Sequence, residues 1–230
     1  MLLETLRAEV LEANLEVVRH GLVLYTFGNA SGISRKDGLV VIKPSGVPYE
    51  NMTPADLVVV NLQGTIVEGS LRPSSDLPTH LALYQAFPEI GGVTHTHSGY
   101  ATAWAQARRE IPCLGTTHAD YFHGSVPVTA PLSSEQIATD YEGNTGHAIV
   151  RRFATLDPMA IPAVLVAGHA PFCWGRTAPD AARNAVLLEE VAKLAYRSFM
   201  LEREAATLER ELHDKHFLRK HGSGAYYGQK

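Results

Sequence analysis

Two histidines stand one residue apart at the close of Gly91-Gly92-Val93-Thr94-His95-Thr96-His97, a short β-branched run with the composition of a strand. Side chains alternate faces along a strand, so His95 and His97 project the same way, with Cα atoms roughly 6.6 Å apart at a rise of ~3.3 Å per residue. Two imidazoles at that separation can close on one cation at ~2.0–2.1 Å from each nitrogen, which makes the pair half of a metal site. Two further groups are placed to complete it. Asp76 follows Ser74-Ser75, just before a helix expected to start near Pro78, because proline suits a first helical turn and short polar side chains suit the position before it. His169 follows the apolar run Ala163 to Ala167 and the breaker Gly168, where a buried strand emerges into a loop. Three imidazoles and a carboxylate form a donor set suited to zinc or manganese. The chain carries 11 histidines, so chance pairs are expected, and His80, His123 and His147 are read as ordinary hydrogen-bonded residues.

A second chemistry is written in three short loops. Gly28-Asn29, Lys43-Pro44-Ser45-Gly46 and Ser74-Ser75 offer an amide, an ammonium, hydroxyls and glycine-exposed backbone N–H groups. A phosphate dianion is held by several such donors and one point charge, and the helix N-terminus near Pro78 adds a favourable dipole. Each loop taken singly is ordinary turn chemistry. Asp120 and Tyr227, taken singly, read as a solvated loop charge and a packing aromatic near a chain end.

The elements that must position these groups follow from periodicity. Leu3, Leu6, Val10, Ala13 and Val17 recur at helical spacing over residues 3 to 18, and Gly21 follows as a C-terminal stop. Leu22 to Thr26 and Leu39 to Ile42 read as strands, separated by the loop Gly28 to Gly32 and the turn Lys36-Asp37-Gly38. Leu57 to Leu62 and Thr65 to Glu68 read as a hairpin about Gly64. After His97 comes a helix over Ala101 to Ala107, then an exposed loop from Gly115 to Tyr121; Ile149 to Phe153 is too short for periodicity to choose between helix and strand. Thr177 is placed as the N-cap of a helix running through Ala181, Ala185, Leu188, Val191 or Ala192, and Ala195. A charge-laced helix is expected over Leu201 to Leu212, and then a basic, glycine-punctuated tail.

At 230 residues and 45% apolar content the chain suits one α/β domain with a mixed sheet. A formal charge of −4 gives no basic field for nucleic acid. Glu4 and Glu9 interrupt the N-terminal apolar positions, and no run approaches the ~18 apolar residues of a membrane span, so a soluble, unexported protein is expected. Cys113 and Cys173 form no CxxC pair; they read as small buried hydrophobes in a reducing cytosol.

Together these segments resemble the class II aldolase family, and within it the L-ribulose-5-phosphate 4-epimerases. The resemblance covers nearly the whole chain: Val10-Leu11-Glu12-Ala13-Asn14, Val41-Ile42-Lys43-Pro44-Ser45-Gly46, Pro73-Ser74-Ser75-Asp76, His95-Thr96-His97-Ser98, Gly115-Thr116-Thr117-His118-Ala119-Asp120-Tyr121-Phe122 and Tyr226-Tyr227-Gly228-Gln229. The metal pattern is shared with the sugar-phosphate aldolases, whereas the 116–121 loop and the closing motif are narrower and resemble the epimerase branch. The resemblance implies a three-layer α/β/α sandwich over residues 1–230 with a mixed, largely antiparallel central sheet, assembled as a cyclic C4 homotetramer. It implies zinc, or manganese, on Asp76, His95, His97 and His169, and phosphate held by Gly28, Asn29, Ser45, Gly46, Ser74 and Ser75 with Lys43 nearby. Thr116, His216 and Arg219 would contact substrate, and Asp120 and Tyr227 would be the acid/base pair. Thr116, Asp120, Arg219 and Tyr227 would come from the neighbouring subunit, the tail from about 214 to 230 reaching its site, mobile when empty and closed when occupied. Two departures touch the setting of His169: Ala170 stands where the pattern has glycine, and Ala167-Gly168 replaces a more polar pair.

The implied reaction interconverts L-ribulose 5-phosphate and D-xylulose 5-phosphate. C4 of a 2-ketose is not α to its carbonyl, so its hydrogen is not acidic, and inversion there calls for breaking and re-forming the C3–C4 bond with Lewis-acid help. The other readings are a metal-dependent ketose 1-phosphate aldolase and a catalytically silent domain similar to the adducin head, against which the intact His95, His97 and His169 weigh.

Overall fold

The computed structural model of the chain describes residues 1–222 and 224–228. Gln229, the end of the closing motif, lies outside the described residues with Ser223 and Lys230. The first helix, α1 (Glu4–Arg19), buries Val10, Ala13 and Val17 on one face and ends before Gly21, which sits at φ +66°. Four strands follow: β1 (Asn29–Ser34), β2 (Leu39–Ile42), β3 (Val58–Asn61) and β4 (Ile66–Glu68). Next come α2 (Leu77–Ala86), β5 (Gly92–His95), α3 (Gly99–Gln106), α4 (Thr116–Ala119), α5 (Ser134–Thr139) and α6 (Tyr141–Arg152). The chain closes with β6 (Ala163–Leu165), β7 (Pro171–Gly175), α7 (Ala178–Leu201) and α8 (Arg210–His221). The Thr177 hydroxyl caps α7 by accepting from the Asp180 amide at 3.2 Å.

The strands form one sheet in the order β4-β3-β2-β1-β5-β7-β6, and every pairing between them is antiparallel. The parallel component of the expected sheet is confined to an isolated bridge between Val128 and Leu165. Both faces of the sheet are covered. Val41, Val59 and Cys173 point to a core shared with α1, α3 and α7, while Val40, Val58, Phe172 and Trp174 point to one shared with α2 and α6. Burial on both sides explains why these strands read as continuous apolar runs. The three-layer sandwich is therefore the observed architecture. Among the described residues no helix is long and apolar enough to cross a membrane.

A row of glycines crosses the middle of the sheet, Gly32 on β1 opposite Gly92 on β5 and Gly92 opposite Gly175 on β7. The first turn of α7 lies directly on this row. A Cβ at Gly92 would stand 2.4 Å from the Ala178 Cα and one at Gly175 would stand 2.5 Å from the Asp180 Cβ. The sheet carries no side chains there because the helix backbone occupies their space.

Three expectations are corrected. Leu22 to Thr26 is not a strand: Leu24 and Tyr25 are 64% and 91% exposed, and Tyr25 turns the chain at φ +52°. The strand starts at Asn29, inside the expected Gly28 to Gly32 loop, because a position under α1 and α7 admits only small residues, which β-propensity does not favour. Gly115 to Tyr121 is not an exposed loop but contains α4, with His118 and Ala119 buried. Leu201 to Leu212 is not one helix, since α7 ends at Leu201 and the Leu208 amide bonds the Cys113 carbonyl at 2.8 Å in an irregular strap. The helix lies further on as α8, where Phe217 stacks on His123 at 4.6 Å. Ile149 to Phe153 resolves as the end of α6.

Gly92→Ala should push α7 off the sheet and destabilise the protein by about 1–3 kcal/mol, the usual cost of overpacking. At ~2–4 °C per kcal/mol for a chain of this size, the thermal midpoint should fall by roughly 3–10 °C. Gly115→Ala, where an added Cβ meets nothing within 4 Å, should stay within about 0.5 kcal/mol of wild type.

Candidate metal centre and phosphate pocket

His95 is the last residue of β5, in the centre of the sheet, and its cross-strand partners are Asn29 on β1 and Phe172 on β7. Its ring stacks on Phe172 at 4.2 Å, and its Nδ1 lies 2.9 Å from the Pro171 carbonyl. A carbonyl only accepts, so Nδ1 carries the proton and Nε2 presents a lone pair to the cavity. His97, just past the strand, brings its Nε2 to 3.1 Å from that of His95. His169 lies in the turn between β6 and β7, after Gly168 at φ +74°, with its ring 4.9 Å from His95 and 5.0 Å from His97. The ligand atoms of the three imidazoles all lie within 4.8 Å of one another.

This arrangement fits a metal on three counts. Two nitrogens at ~2.0–2.1 Å from a tetrahedral ion are separated by about 3.4 Å, close to the His95–His97 spacing. Burial and then His95 and His97 push His169 down to about 4, and burial followed by His95 lowers His97, so both rings are neutral at pH 7 with a lone pair free. The Nδ1 of His169 is buried without a hydrogen-bond partner among the described residues. Replacing Gly by Ala at 170 leaves the turn intact, since the Val166 amide donates to the Ala170 carbonyl at 3.0 Å.

Asp76 lines the same cavity but stands outside the compact imidazole cluster. It occupies the N-cap position of α2 without capping it, and instead accepts from the Asn29 amide at 2.6 Å. Burial raises its pKa, but the charges of His95 and His80 and the Asn29 hydrogen bond outweigh that and hold it below the ordinary carboxylate value. An ionised carboxylate beside the three imidazoles is a candidate fourth donor.

The three loops read as phosphate donors converge on this cavity of about 420 Å³. Asn29 donates to Ser74 Oγ at 3.0 Å, and the amides of Ser45 and Ser74 bond Arg72 and Lys43 carbonyls at 2.9 Å each. Those two amides hold the loops together, which leaves the Ser45 and Ser75 hydroxyls and the Gly46 backbone to meet an anion. Lys43 is only 2% exposed, and its ammonium meets the carbonyls of Val47 at 2.9 Å and Pro44 at 3.2 Å, with no carboxylate bridged to it among the described residues. Burial pushes it down to about 8. A desolvated cation lacking an anion is a site for one.

The remaining candidate residues gather elsewhere in the same chain. Asp120 accepts from Arg219 at 2.9 Å, lies 3.0 Å from His216 Nδ1 and 3.3 Å from the Lys220 ammonium, and has Thr116 one helical turn before it. Burial works against its charge, but these three partners hold its pKa below the usual range. Tyr226 and Tyr227 fold back on α8 through their amides to the Arg219 carbonyl at 3.0 and 3.1 Å, and the Tyr227 ring packs 4.5 Å from the Lys220 ammonium. None of these residues lines the histidine cavity of their own chain. Conversely, Thr26, Phe27, Tyr141 and Glu142 line that cavity and were not singled out from the sequence. Tyr141 and Glu142 begin α6 after the Asp140 cap, a helix-start signal that says nothing of what the first turn faces.

Comparison with known proteins agrees with this geometry. Over 228 residues the chain is 52% identical to "L-ribulose-5-phosphate 4-epimerase UlaF" of Salmonella paratyphi C, covering 99% of this chain and 100% of that protein. The protein of the same name from Salmonella choleraesuis gives the same figures. Among solved structures it is similar to an L-fuculose 1-phosphate aldolase, with a TM-score of 0.78 and 25% identity over 92% of this chain and 94% of that one. Residues 8–196 match the family described as Class II Aldolase and Adducin N-terminal domain. That match takes in the whole sheet and every residue lining the histidine cavity, and the chain therefore belongs to the class II aldolase family.

Proposed function

We propose that the protein is an L-ribulose-5-phosphate 4-epimerase, interconverting that sugar with D-xylulose 5-phosphate. The observation that carries this reading is the extent of likeness to the two Salmonella epimerases: it covers 99% of the chain, well beyond the family match that ends at residue 196. The C3–C4 bond breaks as the C4 hydroxyl gives up its proton, leaving the enediolate of dihydroxyacetone and glycolaldehyde phosphate. Rotation of the aldehyde and addition to its other face inverts C4. A divalent cation, zinc or manganese, held by His95, His97 and His169 with Asp76, supplies Lewis-acid stabilisation of negative charge on the ketose oxygens when bound.

The chain's own groups do the rest. Lys43, Asn29, Ser45, Gly46, Ser74 and Ser75 hold the phosphate, with Gly28 shaping the loop, so the aldehyde fragment turns without escaping. Two acid/base groups serve the two positions of the C4 oxygen, and Asp120 and Tyr227 of a neighbouring subunit fill these roles, positioned by Thr116, His216 and Arg219. The separation of these residues from their own chain's cavity supports a shared site, as in a C4 tetramer whose tails, about 214–230, cross to the next subunit. The protein works on a small sugar phosphate in the cytoplasm.

A coupled assay should show metal-replete protein turning over L-ribulose 5-phosphate faster than L-fuculose 1-phosphate, with His97→Ala losing both bound metal and turnover. The reverse preference would make the protein an aldolase, and turnover of neither would make it a silent domain.

The Lys43 charge is present below pH 8 and lost as pH rises through about 8, whereas a phosphate monoester is already dianionic above its second pKa of about 6. KM for the phosphorylated ketose should thus climb above pH 8. Lys43→Met should raise KM at lower pH and flatten the climb.

Mixing Tyr227→Phe subunits with His97→Ala subunits should restore part of the activity, because a hybrid interface pairs an intact tail with an intact metal site. Well-formed hybrids with no recovery would place the acid/base chemistry within one chain, where Tyr141 is the phenol at hand.

A further inference from the structure

Beyond the end of the β1–β2 ladder, at Ser31 opposite Ile42, the chain segments carrying Gly28-Asn29 and Lys43 to Gly46 separate. Each is tied to the third loop: Asn29 donates to Ser74 at 3.0 Å, and the Ser74 amide bonds the Lys43 carbonyl at 2.9 Å. The gap between the first two is bridged by Tyr49, which no sequence signal distinguishes. Tyr49 is 3% exposed in a short 3-10 turn (Tyr49–Asn51) just after the lysine loop. Its hydroxyl donates to the Gly28 carbonyl at 2.8 Å, and the face of its ring lies 4.6 Å from the Lys43 ammonium.

The two contacts act on different parts of the pocket. Gly28 sits at φ +89° against the strand that carries the first imidazole, where a Cβ would come within 2.9 Å of the His95 carbonyl. Fixing the Gly28 carbonyl therefore fixes the loop that leads into Asn29 relative to His95. The ring contributes a cation–π contact that keeps the ammonium aimed along one direction while it is out of water. Without that face, only the Val47 and Pro44 carbonyls on one side would hold the ammonium.

We infer that Tyr49 is a positioning residue for recognition of a phosphate monoester: it sets the distance between the Gly28-Asn29 loop and Lys43, and so the fit of the dianion beside the metal centre. The inference rests on the phosphate pocket assigned above. It predicts a division of labour between two substitutions. Tyr49→Phe keeps the ring under Lys43 and loses the bond to Gly28, and Tyr49→Leu loses both.

The test uses two probes on the full-length, metal-replete protein: inorganic phosphate for the pocket and dihydroxyacetone for the metal-facing half, each followed by calorimetric titration. Tyr49→Phe should weaken phosphate about tenfold, the worth of one well-placed hydrogen bond, and Tyr49→Leu by roughly a further tenfold with loss of the cation–π contact. Dihydroxyacetone affinity and metal content should not change in Tyr49→Phe, and its KM for phosphorylated ketose should rise while kcat holds. Unchanged phosphate affinity in Tyr49→Phe would overturn the inference. So would equal loss of both probes, which a purely structural tyrosine would produce along with a lower thermal midpoint. Failure of wild-type protein to bind inorganic phosphate, with dihydroxyacetone still bound, would instead remove the pocket assignment itself and the inference with it.

Discussion

Asn29 opposite His95, on adjacent antiparallel strands, is the pairing on which the rest of this protein depends. It brings the start of one loop beside the His95 imidazole in the middle of a sheet whose hydrogen bonds resist any slip, since a one-residue shift would turn every side chain to the wrong face. From that point Asn29 reaches Ser74 and Asp76 through one amide group, so a single side chain joins two of the cavity loops to the carboxylate beside the histidines. The glycine row, three residues from that pair along each strand, lets α7 settle onto the sheet, and α7 buries the face opposite α2. The rigid platform is what allows the cavity to be built from strand ends and turns.

Two buried cations show how the fold separates structure from function. Arg7, 1% exposed, is saturated: it donates to the carbonyls of Leu2, Pro54 and Leu57 and to Glu68 at 2.7 Å, joining α1 to the β4 edge. Only the Arg7 end of that pair is buried, so the loss of Glu68 would leave the arginine to its three carbonyls. Lys43 is equally hidden yet meets only carbonyls and an aromatic face, and burial lowers its pKa. Lys43 lines the histidine cavity, where the proposed phosphate dianion would offset the cost of burying its charge.

The candidate residues fall into two groups at separate places on one chain. One chain gathers the three histidines, Asp76 and the three loops proposed to hold phosphate around one cavity at one end of the sheet. It carries Asp120, clamped by Arg219, His216 and Lys220, on the α4–α8 face, where Leu218, Tyr226 and Tyr227 are exposed. Around the histidine cavity Leu24, Tyr25 and Phe27 are exposed in turn. The tetramer proposed above would cover both of these exposed apolar surfaces, since a closed head-to-tail ring leaves neither unpaired.

Much of this was legible in the residues themselves, for local reasons. The His95-x-His97 spacing works because strand alternation is a property of two residues. The α1 and α7 helices, the Thr177 cap, the Gly38 and Gly64 turns and the α2 start at Leu77-Pro78 follow from short-range periodicity and backbone preference. Tertiary structure decided what depends on contacts far apart in the chain. A central strand made of Asn29-Ala30-Ser31-Gly32 looks like a loop until α1 and α7 are laid over it. The α8 helix is placed by Phe217 on His123 and by the cations around Asp120, roughly 95 residues away along the chain. Tyr49 reaches Gly28, and Tyr141 the cavity, only through space, because a side chain's distant neighbours leave no pattern in its own stretch of sequence.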